Sequence, residues 1–245
     1  MKLTKKLRLW WLIFALIAPQ LVQANTYGDS TGNQPEFFWH LQVLTQGREE
    51  AASPLYLTQS VTALEHASQE VRTIVDWVVD SKDNLGMPFM VIDKREARVF
   101  MFDARGQLSG EASALLGLAV GDDSVPGIGE RTLASIRPHE RTTPAGRFVA
   151  SLGHNLKGEQ ILWVDYENAI SLHTVITGNP IERRAERLAS PHREDKRISY
   201  GCINVSEHFF NTIVNTEFKR SNGIVYVLPE TRSVHSVFAS YYQVK

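Results

Sequence analysis

The stretch KRISYGCINV, residues 196–205, contains the one cysteine of this 245-residue chain. A thiol becomes a nucleophile only as the thiolate, so a reactive cysteine needs a lowered pKa and a base nearby. Gly201, directly before Cys202, has no Cβ and therefore permits a strained turn or the close approach of a ligand. Such turns can also direct successive backbone N–H groups at an oxyanion. The alternative interpretation is a buried, unreactive cysteine at the end of a strand.

Two further stretches lie upstream of this one. SLHT, residues 171–174, ends a run of alternating character, and TTPAGRF, residues 142–148, is a turn that leads into a strand. The histidine of the first stretch followed by SYGCIN resembles the signature of the L,D-transpeptidase (YkuD) family. In that signature a His precedes a Ser/Thr-x-Gly-Cys-hydrophobic-Asn/Arg run. The sequence TTPAGRF is similar to a second motif of the same family, and the motifs occur in the matching order.

The resemblance implies an acyl-transfer site. Cys202 is expected to be the nucleophile, and His173 the base and proton donor, because an imidazole can take a thiol proton at neutral pH. Thr174, or its backbone carbonyl, is expected to orient the imidazole ring. A hydrogen-bonded histidine at a strand end, without a catalytic role, is the alternative for His173.

The resemblance also suggests supporting roles around the thiol. Ser199 either hydrogen-bonds near the thiol or serves the structure. The backbone N–H groups of Gly201 and Cys202, with that of Tyr200, are the candidates for an oxyanion hole. Asn204 either holds the loop or contacts the substrate, and the sequence leaves both roles open.

The sequence departs from the family pattern in two ways. Many members have His where this chain has Tyr200, and the 29 positions between His173 and Cys202 are more than the pattern suggests. The extra residues, 179–196, are interpreted as an insertion beside the site. Asn179, Pro180 and Glu182 have the order of a helix start, so a helix is predicted to run from there to about residue 190.

The inserted helix is rich in arginine, and two interpretations of it remain. It is either a solvated helix with internal ion pairs, or a lid whose arginines bind a substrate carboxylate bidentately. The candidates for carboxylate binding are Arg183, Arg184, Arg187 and Arg193.

The implied substrates are peptidoglycan stem peptides, cleaved at the carbonyl next to diaminopimelate and transferred to an amine for cell-wall cross-linking. A lipoprotein amine or water could replace that acceptor, and a non-catalytic peptidoglycan-binding protein is a further alternative. No metal or cofactor is expected, since the sequence has no His pair at i, i+4 and no Cys/His ligand set. A papain-like protease would have Cys before His in the chain, and a serine hydrolase would have a Gly-x-Ser-x-Gly turn around its nucleophile. This sequence has neither pattern.

The chain is expected to be exported. Residues 1–24 have a basic start, a short apolar run and a small-residue end at Ala24, which are typical of a signal peptide cleaved before a periplasmic domain. The net charge of −1, which becomes more negative without this basic leader, argues against a nucleic-acid surface. We expect a monomer.

Residues 25–86 are predicted to form an N-terminal arm and an amphipathic helix at 58–80 that starts at Ser60 or Thr62. Residues 87–245 are predicted to be the catalytic domain. Its predicted strands are 89–93, 98–102, 112–120, 161–164, 169–174, 223–228 and 234–242, with a short helix within 209–218. The resulting fold class is mainly β with a few helices: a YkuD-like twisted sheet sandwich with an N-terminal helical extension.

Overall fold

A computed structural model of the chain describes residues 64–244. This part of the chain is mostly β with a few short helices, which confirms the predicted fold class. The strands are β1 (Phe89–Asp93), β2 (Arg98–Phe102), β3 (Leu108–Ser113), β4 (Leu116–Gly117), β5 (Gly146–His154), β6 (Gln160–Asp165), β7 (Ile170–Thr174), β8 (Arg197–Ser199), β9 (Ile203–Val205) and β10 (Gly223–Val227). The α-helices are α1 (Gln69–Ser81), α2 (Arg184–Ala189), α3 (Glu207–Phe209), α4 (Asn215–Phe218) and α5 (Val234–Val237).

Shorter helical turns complete the described structure. A π-helical turn, Phe210–Val214, joins α3 to α4 into one continuous helical run. This run includes the helix predicted within residues 209–218. The 3-10 turns are Ile128–Glu130, Leu133–Ser135, Pro138–Glu140, Pro180–Glu182 and Arg193–Lys196.

Eight strands form one sheet in the order β3-β2-β1-β10-β5-β6-β7-β9. The pairs β1–β10 and β7–β9 are parallel, and the other neighbours in the sheet are antiparallel. The two edges approach each other, because Leu115, just after β3, exchanges two backbone hydrogen bonds of 2.8 Å with Asn204 of β9. The sheet is therefore nearly closed, and β4 pairs with β8 beside this junction.

The β1–β2 hairpin forms as predicted, and its turn is fixed locally. The Asp93 carboxylate accepts hydrogen bonds from the backbone N–H groups of Arg95 and Glu96 at 3.0 and 3.1 Å. Ala97 completes the turn with a positive φ of 51°. An aspartate that bonds the backbone two and three residues ahead is a common turn device.

The neighbouring strands β1 and β10 are buried on both faces, which explains their continuous apolar sequence. On one face of β1, Phe89 and Val91 pack with Ile74 and Trp77 of α1. On the other face, Met90 and Ile92 belong to the core that the nearly closed sheet surrounds. Side chains alternate between the faces of a strand, so one short strand serves both cores.

Three sequence predictions need correction. The third strand is Leu108–Ser113 and not 112–120, because the chain leaves the sheet after residue 113 and only β4 follows. The predicted strand 234–242 does not form: its first four residues are the short helix α5, whose start is capped by Ser233, and residues 238–242 are neither helix nor strand. Helix α1 begins at Gln69, where the Ser68 side chain accepts from the Val71 N–H at 3.3 Å. The proposed caps Ser60 and Thr62, the signal peptide and the arm lie outside the described residues.

Candidate active site

The predicted nucleophile and base come from two adjacent parallel strands. His173 lies in β7, and Cys202 directly precedes β9, with His173 in register with Asn204. Both side chains are half-buried. The β7–β9 pairing therefore brings together the two motifs that are 29 positions apart in the sequence.

A tight turn before β9 presents the thiol. Ser199 donates its hydroxyl to the Cys202 carbonyl at 2.6 Å and accepts from the Gly201 N–H at 3.1 Å. Gly201 has a φ of 135°, and a Cβ there would lie 2.8 Å from both the Thr142 carbonyl oxygen and Ile170 Cδ1. Only glycine satisfies both the backbone angle and the space.

Hydrogen bonds within the same turn leave two of the three predicted N–H donors available to bind an oxyanion. Ser199 already occupies the Gly201 N–H, so this predicted donor is used within the turn. Among the hydrogen bonds of residues 64–244, the N–H groups of Tyr200 and Cys202 have no partner. The Tyr200 ring is held by the Arg141 guanidinium, 3.9 Å above its centroid.

Thr143 links the upstream TTPAGRF motif to this turn, a role that the sequence reasoning missed. Its buried hydroxyl donates to the Gly201 carbonyl at 2.7 Å and accepts from the Gly117 N–H at 2.9 Å. The occurrence of the motif upstream of the cysteine was the available signal. The structure shows the physical connection between the two motifs.

A cluster of buried charged side chains contacts the backbone of Thr143. Lys94 Nζ donates to the Thr143 carbonyl at 2.9 Å and to Asp122 Oδ1 at 2.7 Å. Both of these charged side chains are fully buried. Glu230 lies 3.6 Å from Lys94 and pairs with Arg197 of β8. The cluster thus ties the strand before the cysteine to the loop that carries Thr143.

Hydrogen bonds fix the tautomer of His173. Its Nδ1 lies 2.8 Å from the Thr174 carbonyl oxygen, which can only accept, so Nδ1 carries a proton. In the neutral ring, Nε2 is then the unprotonated acceptor. Asn204 Nδ2 lies 3.2 Å from this Nε2 and donates to it. The Thr174 carbonyl, which was one of the two predicted orienting groups, holds the ring.

The thiol and the imidazole shift each other's pKa. Burial raises the pKa of Cys202, but the neighbouring His173 lowers it more, and Ser171 adds to the lowering. Burial lowers the pKa of His173, while Cys202 and the Thr174 carbonyl raise it to a net higher value. Both shifts favour proton transfer from sulfur to nitrogen.

Ser171 is a second contact that the sequence reasoning missed. Its Oγ lies 3.6 Å from Cys202 Sγ. Because residues two apart on a strand face the same side, the position of Ser171 relative to His173 was a usable signal.

A small cavity opens beside the thiol. It has a volume of about 70 Å³, and besides Cys202 its lining includes Ile128, Ile136, Ala169 and Ile170. The loop between β4 and β5 supplies the first two of these side chains. A larger groove of about 620 Å³ lies elsewhere, along Ser151 and Asn215, and its lining contains neither His173 nor Cys202.

Between residues 179 and 190, where one helix is predicted, the inserted segment forms two separate helical pieces. The Asn179 side chain accepts from the Ile181 N–H at 3.2 Å, as expected of a cap, but only a 3-10 turn follows. Arg183 then adopts a positive φ of 48°, which ends this turn before α2 begins. α2 ends at Ala189, with Ser190 as its C-cap.

The four arginines of the segment have partners within the chain. Arg183 pairs with Glu186, and Arg193 pairs with Glu96 and Glu194. Arg187 donates to the backbone carbonyls of Glu182 and Asp195, both at 3.0 Å. Arg184 pairs with Glu182 and donates to Asn204 Oδ1 at 2.9 Å. Arg183, Arg184 and Arg193 are thus ion-paired, and Arg187 is bonded to backbone carbonyls.

Within residues 64–244, no group of three or more His, Cys, Asp or Glu side chains is arranged to hold a metal ion. None of the helices in this part of the chain is long and apolar enough to span a bilayer.

Several solved structures are similar to this chain. The helical cell shape determining protein Pgp2 from Campylobacter jejuni is 14% identical, with a TM-score of 0.39, over 60% of this chain and 49% of that one. LD transpeptidase LdtMt1, in complex with imipenem, is 15% identical with a TM-score of 0.33, over 58% of each chain. The solved structures that this chain resembles include L,D-transpeptidases. An L,D-transpeptidase from Mycobacterium smegmatis is 13% identical with a TM-score of 0.32, again over 58% of each chain.

This chain therefore spans between 49% and 58% of the length of those three structures. No protein-family model and no curated protein matches the sequence. Structural similarity at this level of identity does not establish an activity, so the proposed chemistry rests on the residues of the site.

Proposed function

We propose that this protein is a cysteine-dependent acyltransferase of the L,D-transpeptidase type that acts on peptidoglycan stem peptides. The observation that carries the proposal is that the parallel β7–β9 pair places Cys202 near His173, with the pKa of the thiol lowered and the pKa of the imidazole raised by one another. The resemblance of both motifs to the L,D-transpeptidase signature supports the choice of substrate. Export to the periplasm, through the leader at residues 1–24, is part of the same proposal.

The proposed reaction has two steps, acylation of Cys202 and transfer of the acyl group to an acceptor. His173 Nε2 exchanges its hydrogen bond with Asn204 Nδ2 for the thiol proton, and the thiolate attacks the stem-peptide carbonyl next to diaminopimelate. The free N–H groups of Cys202 and Tyr200 stabilise the oxyanion. The imidazolium returns the proton to the departing terminal D-amino acid, which leaves a thioester on Cys202. An acceptor amine, deprotonated by His173, then attacks the thioester and regenerates the thiol.

The cavity beside Cys202 suits a small apolar group at the reacting carbonyl. Its volume of about 70 Å³ is several times what one water molecule needs, and its lining includes Ile128, Ile136 and Ala169, so it has room for a small apolar side chain. A terminal residue of alanine size therefore fits the proposed leaving group.

A carbapenem, as a mimic of the acyl donor, tests the nucleophile. The purified protein should gain one adduct mass, located by peptide mass spectrometry on the fragment that contains Cys202. Cys202→Ala should gain none, and His173→Gln should react roughly 10²–10⁴-fold more slowly. An adduct that persists in Cys202→Ala would show that Cys202 is not the nucleophile.

The acceptor is tested separately. Muropeptide mass spectrometry of cells with and without the protein would show new cross-links if a stem-peptide amine is the acceptor. Shortened stems without cross-links would identify water, and muropeptides attached to protein would identify a lipoprotein. Unchanged muropeptides together with no carbapenem adduct would favour a binding protein without turnover.

A further inference from the structure

One arginine of the inserted segment differs from the others in what it contacts. Arg184 donates from Nη1 to Asn204 Oδ1 at 2.9 Å, and the Nδ2 of the same amide lies 3.2 Å from His173 Nε2. The Arg184 side chain is only 12% exposed, and Asn204 is fully buried. A continuous path of hydrogen bonds therefore joins a helix outside the sheet to the imidazole.

The chemistry of these groups allows one orientation of the amide. A guanidinium has only donors, so the atom of Asn204 that faces Arg184 must be the oxygen. The amide nitrogen then faces His173 and donates to Nε2. A donor at this position stabilises the neutral imidazole, because a proton on Nε2 would meet the N–H of the amide.

We propose that Arg184 is a positioning residue that acts through Asn204 to hold the His173 ring with its Nε2 unprotonated. This inference rests on the proposed role of His173 as the base. It assigns Asn204 to support of the base, and not to contact with the substrate. Arg183, by contrast, has a side chain that is 69% exposed, and within residues 64–244 it pairs with Glu186 alone.

The charges around His173 act in opposing directions. Burial lowers the pKa of His173, Cys202 raises it, and the positive charge of Arg184 makes a smaller contribution that lowers it. Glu182 pairs with Arg184 and partly offsets its charge. Without Arg184, the thiol–imidazole pair would keep the proton on nitrogen over a wider pH range, and less free base would be present near neutrality.

The test is an NMR titration of the His173 ring, with the full chain carrying Cys202→Ala so that the imidazole titrates alone. The resonance is assigned by its loss in His173→Gln. Adding Arg184→Gln should raise the titration midpoint by about half a unit or more, since it removes a nearby cation and the fixed amide. Arg184→Lys should return the midpoint towards the parent value.

Arg187→Gln is the matched control, because Arg187 lies in the same helix but donates to the carbonyls of Glu182 and Asp195 and, among the described residues, not to Asn204. It should leave the midpoint unchanged. An unchanged midpoint in Arg184→Gln, or an equal shift in Arg187→Gln, would overturn the inference.

If Arg184→Gln does not fold, Glu182→Gln decides the matter. This variant removes the carboxylate that partly offsets the charge of Arg184, so the titration midpoint of His173 should fall by a few tenths of a unit. A midpoint that does not fall would overturn the inference. Since the readout is protonation and not turnover, failure of this inference is distinct from failure of the proposed acyl transfer, which the carbapenem adduct reports.

Discussion

The hydroxyl of Thr143 offers a sharp test of how the site is held together. Thr143→Val keeps the shape of the side chain and removes the oxygen that bonds the Gly201 carbonyl at 2.7 Å and the Gly117 N–H at 2.9 Å. Thr143 is fully buried, and both glycines are buried, so water cannot replace these bonds. An unpaired buried group costs roughly 1–3 kcal/mol, so the two together predict a loss of about 2–6 kcal/mol of folding stability.

Urea unfolding, followed by circular dichroism, measures this loss. Thr143→Ser is the control, because it keeps both hydrogen bonds and loses one methyl group, which should cost only about 0.5–1.5 kcal/mol. The carbapenem acylation rate should fall in Thr143→Val, since the turn before Cys202 loses its anchor, and should stay near the parent rate in Thr143→Ser. If the Val variant were no less stable than the Ser variant, the hydroxyl would not be the link between the two motifs.

Three other perturbations follow from the same contacts. Lys94→Met should cost about 3–5 kcal/mol in urea unfolding, because it leaves Asp122 charged and buried, and a loss under 1 kcal/mol would contradict this. Gly201→Ala should lose about 1–3 kcal/mol and most carbapenem reactivity, whereas Gly178→Ala, where a Cβ meets nothing within 4 Å, should match the parent on both measures. Burial raises the pKa of Asp122, but hydrogen bonds from Lys94 and Thr231 lower it more, well below 3.8. A depressed carboxylate pKa stabilises the fold above about pH 4 and loses that contribution as the pH falls further, so urea midpoints should drop from pH 5 to pH 3, and less so in Asp122→Asn.

Local signals predicted much of the fold. The hairpin β1–β2 was readable because an apolar run, a polar turn and a second apolar run follow one another. β3 was misplaced because its residues are all half-buried, so it shows no alternation that marks its ends. The last predicted strand failed for a local reason: Ser233 caps a helical turn at a place where the apolar residues alone also suit a strand.

The candidate site, too, could be predicted from the sequence only in part. Cys202 and His173 could be selected from the sequence because their motifs are short and contiguous. The use of the Gly201 N–H by Ser199 depends on how one turn closes, which residue types alone do not determine. The contact of Arg184 with Asn204 joins positions that only the packing of α2 beside β9 brings together. Sequence patterns therefore identify the reacting groups, and tertiary contacts determine how they are held.

The position of β10 has a consequence for how the chain reaches this structure. β10 lies between β1 and β5, and its parallel pairing sets Phe89 beside Ile224, near opposite ends of the described chain. During synthesis, β1–β3 and β5–β7 emerge first, with an unpaired edge on each side of the gap that β10 will fill. Closing that gap requires contacts of long sequence separation, which form slowly. A nascent or truncated chain that lacks residues 223–227 should therefore remain open, with edges prone to aggregation, and not form a smaller stable domain.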